Sequence, residues 1–198
     1  MALTDSDVAR QNRQAHDAEG KRLAGVRYLN LDYQVLGRQN GETGTRFIVD
    51  DAEWSGPTWQ AVDCDSVDWG IELHLDDMSV LGFSWQQPAP ETESLVLFSG
   101  EVLSRFSGPT SAAVWEVGSR SRWAGLIGQQ IDSVVPRYSA WSPTAAELWL
   151  PRVTLQIGEH RVELLLGEGR FDQPGIEPSA NNIVVLFDPV DLPDWVRS

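Results

Sequence analysis

The stretch Val67 to Trp85, VDWGIELHLDDMSVLGFSW, alternates apolar and polar residues with a period of two on either side of an Asp-Asp-Met break. Alternation of that kind puts successive side chains on opposite faces of an extended chain, whereas a helix would scatter the same residues around its axis. The spacing predicts a β-hairpin with strands at 69–76 and 79–85. Trp69, Ile71, Leu73 and Leu75 form one row and Leu81, Phe83 and Trp85 another, both facing one core.

The same texture runs through most of the chain. Short runs rich in Val, Ile, Leu, Trp and Phe, separated by Gly, Pro, Asn and Ser, predict further strands at 24–36, 45–50, 94–99, 112–117, 130–136, 147–157, 160–166 and 182–187. The segment LWLPRVTLQIGEHRVELLLGE repeats the hairpin pattern: Val153, Leu155 and Ile157 alternate, Gly158-Glu159-His160 turns, and Val162, Leu164 and Leu166 alternate back. Each hairpin follows a Gly-containing segment, with Gly25 answering Gly128 and Leu31 answering Val134, and each precedes a Pro-rich loop and an apolar strand. This pattern reads as a diverged two-fold internal repeat. Residues 4–22 form a helix, with Asp5 or Ser6 as N-cap and Val8, Ala15 and Ala18 as a thin apolar face. The expected fold is mainly β, with antiparallel sheets in a sandwich or partly open barrel. It divides into an N-terminal arm (1–22), a first β half (23–108) and a second (109–198), packed as one compact unit; 198 residues suffice for one sizeable core.

The other face of the first hairpin carries Glu72, His74 and Asp76. Alternate positions on a strand lie about 6–7 Å apart and i to i+4 about 13 Å, so one ion could use two neighbours but never all three. The apolar alternation opposite already explains this row as a solvent face, and no metal is expected there. His16 falls in the helix and His160 in a turn, neither beside a recognisable nucleophile. The sequence has no G-x-S-x-G, Walker A loop, G-x-G-x-x-G, H-E-x-x-H or EF-hand loop, so no catalytic residue and no cofactor are assigned. Cys64 is the only cysteine and reads as an inert, partly buried thiol, with no disulfide to form.

Charge adds the one directional signal. The chain carries a net charge of −14, and residues 47–104 hold twelve acidic side chains with no Lys or Arg. Such a field repels nucleic acid and anionic lipid and favours either solubility or a basic protein partner. The candidate docking residues are Asp50, Asp51, Glu53, Trp54, Trp59, Asp63, Asp65 and Asp68, where loop tryptophans sit among carboxylates. Trp141 and Trp195 are further loop candidates, while Trp69, Trp85 and Trp149 belong to strands and to the core. The start MALTDSDVARQNRQ has no apolar segment after a basic one, and no apolar run is long enough to span a bilayer; a soluble, cytoplasmic protein is expected. Fourteen arginines against one lysine, Lys21, suggest a GC-rich bacterial origin.

Trp123, Leu126, Gly128, Ile131 and Val134 form a W-x-x-L-x-G-x-x-I-x-x-V segment, followed by a long hairpin and the terminal strand NNIVVLFD. Together they resemble a loosely defined group of small uncharacterised bacterial proteins, over most of residues 65–190. The resemblance implies an accessory or immunity-type protein and supplies no catalytic residues; Asn181 and Asn182 stand where that group often has acidic residues. Two functions follow from the residues. One is a non-enzymatic protein that docks a basic partner through the acidic region. The other is a carbohydrate-binding protein or carboxylate-based enzyme with a Trp-lined cleft, Glu72 and His74 being its best candidates.

Overall fold

The computed structural model describes residues 3–32, 44–89, 92–105, 111–140 and 148–196. Helix α1 (Asp5–His16) is followed by β1 (Leu23–Leu31), β2 (Thr45–Phe47), the one-turn helix α2 (Asp51–Trp54), β3 (Asp65–Val67), β4 (Gly70–Leu75), β5 (Val80–Ala89), β6 (Thr92–Ser99) and β7 (Ala112–Glu116). Then come β8 (Ile131–Ala140), β9 (Leu148–Ile157), β10 (His160–Gly169) and β11 (Ile176–Phe187), with short 3-10 turns at Val102–Arg105, Val117–Ser119, Arg122–Gly125 and Asp194–Val196. The strands form two sheets, ordered β2-β7-β1-β4-β5-β6 and β3-β11-β10-β9-β8. All pairings are antiparallel except β2 with β7. The result is sandwich-like and mainly β, with no closed barrel.

Both expected hairpins form as antiparallel pairs. Ile71 pairs with Phe83 and Leu73 with Leu81, across a turn in which Met78 takes φ 67°. Val153 pairs with Leu164 and Leu155 with Val162, across a turn at Gly158, φ 55°. Ile71, Leu73, Leu81 and Phe83 meet Val153, Leu155, Val162 and Leu164 in one core between the sheets. Each such fully buried side chain contributes about 1.5–3 kcal/mol. The strands β1-β4-β5-β6 and β8-β9-β10-β11 run as two antiparallel meanders of the same order, but neither sheet stays within one sequence half. β3, from residues before 108, extends the second sheet beside β11; β7, from residues after 109, extends the first beside β1.

α1 starts at a Thr4 N-cap rather than at Asp5 or Ser6. Thr4 Oγ1 accepts from the Asp7 amide and Asp7 Oδ2 from the Thr4 amide, a reciprocal arrangement that fixes the first turn one residue earlier than expected. The helix also ends at His16 instead of 22. Its buried Gln11 accepts from the Leu97 amide on edge strand β6, and Glu19 just beyond it accepts from the Val134 amide on edge strand β8. The N-terminal segment thus occupies outward-facing amides on both sheets, which an exposed edge would leave available to another chain.

The outer face of each sheet is covered as well. Leu29, Trp69, Val96, Phe98, Val102, Ala112 and Val114 form a second apolar cluster behind the first sheet, and Ala61, Cys64, Leu165, Val184 and Val196 a third behind the second. Trp69 is buried as expected, but in the outer cluster rather than on the Ile71 and Leu73 face, because it precedes β4 and leaves its alternation. No described helix is long and apolar enough to cross a membrane.

Candidate functional site

Covering the outer face overturns the reading of Glu72 as a wet surface residue. Its side chain is 3% exposed and its carboxylate is fully engaged. Oε1 accepts from the Val102 amide at 2.8 Å, Oε2 lies 3.1 Å from His74 Nε2, and Arg27 approaches to 3.9 Å. Arg27 in turn donates to Glu116. The 3-10 turn Val102–Arg105 lies over this part of the sheet, so its first amide needs an acceptor and Glu72 supplies one. Among the described residues no three His, Cys, Asp or Glu side chains group as a metal site.

The eight candidate docking residues separate in the same way. Asp65, on β3, is 2% exposed. Its Oδ2 accepts from the Tyr28 hydroxyl at 2.8 Å, which itself accepts from Trp123 Nε1 at 2.6 Å. Burial pushes the Asp65 pKa up to about 6, against the hydrogen bond from Tyr28 and the charge of Arg122. Burial and the Asp65 charge raise the Tyr28 pKa well above its ordinary value, so the hydroxyl keeps the proton it donates. Trp59 is also buried in the main core, edge-on to Tyr28, Trp54 and Trp115 at ring-centroid distances of 5.1, 6.2 and 6.1 Å. A docking face containing both Trp59 and Asp65 is therefore ruled out. Apolar and aromatic packing in the core outweighs the loop position that suggested exposure.

The other six stay nearer the surface, several of them tied to arginines. Asp50 is exposed and caps α2 through the Ala52 amide. Asp51 pairs with Arg120 at 2.8 Å, and that guanidinium lies 5.2 Å from the Trp54 ring centroid. Glu53 accepts from Arg46. Asp63 is exposed, its carbonyl accepting from Arg122, and Asp68 is half-buried, its carbonyl accepting from Trp85 Nε1. Of the further loop tryptophans, Trp195 is half-buried against the third apolar cluster, and Trp141 lies outside the described residues.

Two features remain around this region. Strand β2 is outermost in its sheet; its last residue, Phe47, is 52% exposed, and Val49, in the segment leading to α2, is 78% exposed, next to Asp50 and Asp51. Beside β2 lies a cleft of about 320 Å³, lined by Leu31, Asp32, Arg46, Glu53, Thr58 and Trp115 among others. Arg46 donates from Nε to Asp32 Oδ2 at 2.7 Å, from Nη2 to Asp32 Oδ1 at 3.2 Å and from Nη1 to both Glu53 oxygens at 2.7 and 2.9 Å. Hydrogen bonds from Arg46 to Asp32 and Glu53 lift its pKa beyond its usual high value. Sequence reasoning missed Asp32, Arg46 and Trp115: no motif joins them, and Arg46 stands just outside the arginine-free stretch that drew attention. The pairing of β2 with β7 brings them together. Comparison with family profiles, curated proteins and solved structures finds no match.

Proposed function

We propose that the protein is a non-enzymatic binding protein of accessory or immunity type, which docks a basic partner along the β2 edge. The observation that carries this reading is the exposed stripe Phe47, Val49, Asp50 and Asp51 on the outermost strand and the turn after it. An exposed apolar pair at the end of an edge strand and just beyond it, flanked by carboxylates, offers buried area to a partner and a charge that selects a basic one. The Asp51–Arg120 pair does not remove that selection, since the Asp51 side chain is 89% exposed and such surface pairs are weak. The overall charge of −14 steers a basic protein toward the surface and makes its association sensitive to salt.

The test is affinity purification from the native source with wild type and the triple variant Val49→Asp, Asp50→Lys, Asp51→Lys. A basic protein held by wild type, released by salt and lost in the variant supports the proposal. Partners retained equally by both proteins, or unaffected by salt, overturn it.

A further inference from the structure

We infer that the basic partner is held by its main chain: a Lys- or Arg-rich extended segment adds as a further strand to the outer edge of β2, against Thr45 and Phe47. This rests on the docking function proposed above and names the form the partner takes. The Ala112 amide donates to the Gly44 carbonyl at 3.2 Å and the Ile48 amide to the Val114 carbonyl at 2.9 Å, which turns Gly44, Arg46 and Ile48 toward β7. In such a ladder the intervening residues direct their amides and carbonyls the other way, so Thr45 and Phe47 present both to the outside of the sheet. Both residues are exposed, and neither main chain has a partner on that side among the described residues.

The three other sheet edges each have an outward amide capped from within the chain. The Leu97 amide on β6 donates to Gln11, the Val134 amide on β8 to Glu19, and the Ser66 amide on β3 to the Trp59 carbonyl at 2.7 Å. An edge left uncapped where the others are closed is a template for a strand from another chain. Charge selects which chain. A second copy would bring another net charge of −14 against Asp50 and Asp51, whereas Lys or Arg side chains on an added strand meet those exposed carboxylates just past the end of β2. The Asp50 backbone is still extended, at φ −73° and ψ 125°, so a strand laid beside Thr45 and Phe47 continues toward it. Main-chain bonds then supply affinity, and the half-exposed Phe47 ring and the carboxylates supply selectivity.

The probes are a capped peptide of about eight residues alternating Lys and Val, its Glu counterpart, and the Lys peptide N-methylated throughout, which keeps the charge and removes every main-chain donor. Heteronuclear NMR reads affinity from shift titrations and the site from amide hydrogen exchange. The Thr45 and Phe47 amides are expected to exchange freely in the free protein and at least roughly tenfold more slowly when the Lys peptide saturates it. Thr45→Pro removes one outward donor while keeping Phe47 and the carboxylates, and Pro is tolerated where an edge amide faces solvent; it should weaken binding roughly tenfold. If that variant does not fold, the N-methylated peptide makes the same comparison on the wild type. Exchange unchanged at both residues on saturation, or equal binding of the N-methylated peptide, overturns strand addition and leaves docking through side chains standing. Slow exchange in the free protein means that the edge is already covered, and also overturns it. Binding of the Lys peptide no tighter than the Glu peptide overturns the docking function together with this inference.

Discussion

Asp65 makes the folding stability of this protein depend on pH in a direction opposite to that of an ordinary paired carboxylate. Its pKa rises from 3.8 to about 6, because burial penalises the charged form more than the Tyr28 hydrogen bond and Arg122 favour it. Below pH 4 the carboxyl is protonated in both folded and unfolded chains, and its contribution is fully present. Between about pH 4 and 6 the unfolded chain releases the proton while the folded chain holds it, so the folded state binds more protons and stability falls as pH rises. Above the folded pKa no further loss occurs. Two pKa units at 1.36 kcal/mol each give a total of about 3 kcal/mol. Asp65→Asn removes the ionisation and keeps an oxygen for Tyr28. Urea denaturation at intervals from pH 4 to 7 is the assay, and the difference between variant and wild type cancels every other titrating group. That difference should shift in favour of the variant by about 3 kcal/mol across the window. Parallel curves, or a difference growing in the opposite sense, would falsify the assignment. Tyr28→Phe removes a stabiliser of the charged form, so the upper end of the window should move to higher pH.

Glu72→Ala leaves the buried Val102 amide without an acceptor and should cost about 2–3 kcal/mol, whereas Glu72→Gln retains one and should cost less. His74→Ala should cost under about 1 kcal/mol, and equal losses in Glu72→Ala and His74→Ala by urea denaturation would contradict the different roles argued for them. Gly169→Ala brings a methyl within 2.4 Å of Cys64 Sγ and 2.9 Å of Ala61 Cβ, so it should destabilise by about 1–3 kcal/mol. Cys64→Ala should recover part of that loss in a double-mutant cycle; additive effects would refute the contact. The Cys64 thiol, buried and with its pKa pushed up to about 12 chiefly by burial, should react with Ellman's reagent only when the chain is unfolded. Stoichiometric reaction under native conditions would show that it is accessible.

The hairpins were legible because alternation fixes strand identity, and Ile71, Leu73, Leu81 and Phe83 could face only a core. The opposite face was not, because period two says which residues share a side but not whether something covers that side. Glu72 shows the difference: its alternation was read correctly, but its burial depends on the turn at Val102, thirty residues later. Glu163 on β10 repeats the case. It is fully buried, accepting from Arg152 Nε and Nη2 at 2.9 and 3.0 Å and from Thr154 on the neighbouring strand. The short strand β3 also went unread, since three residues carry too little periodicity to count.

The regional acidity of the sequence and the electrostatics of the surface are different quantities here. Asp32, Asp65, Glu72 and Glu163 are all buried, and three of them face arginines, Arg46, Arg27 and Arg152. Asp65 instead accepts from a neutral hydroxyl, and burial pushes its pKa up. Removing one partner of a buried ion pair strands the other, so these arginines cannot be replaced singly without large loss. Charge reversals intended to probe docking therefore belong at Asp50 and Asp51, whose carboxylates water reaches; reversal at Glu53 would also disturb Arg46 and Asp32. A salt-dependent partner lost on reversal at Asp50 and Asp51 reports on the surface, whereas one lost only on reversal at Glu53 reports on the fold.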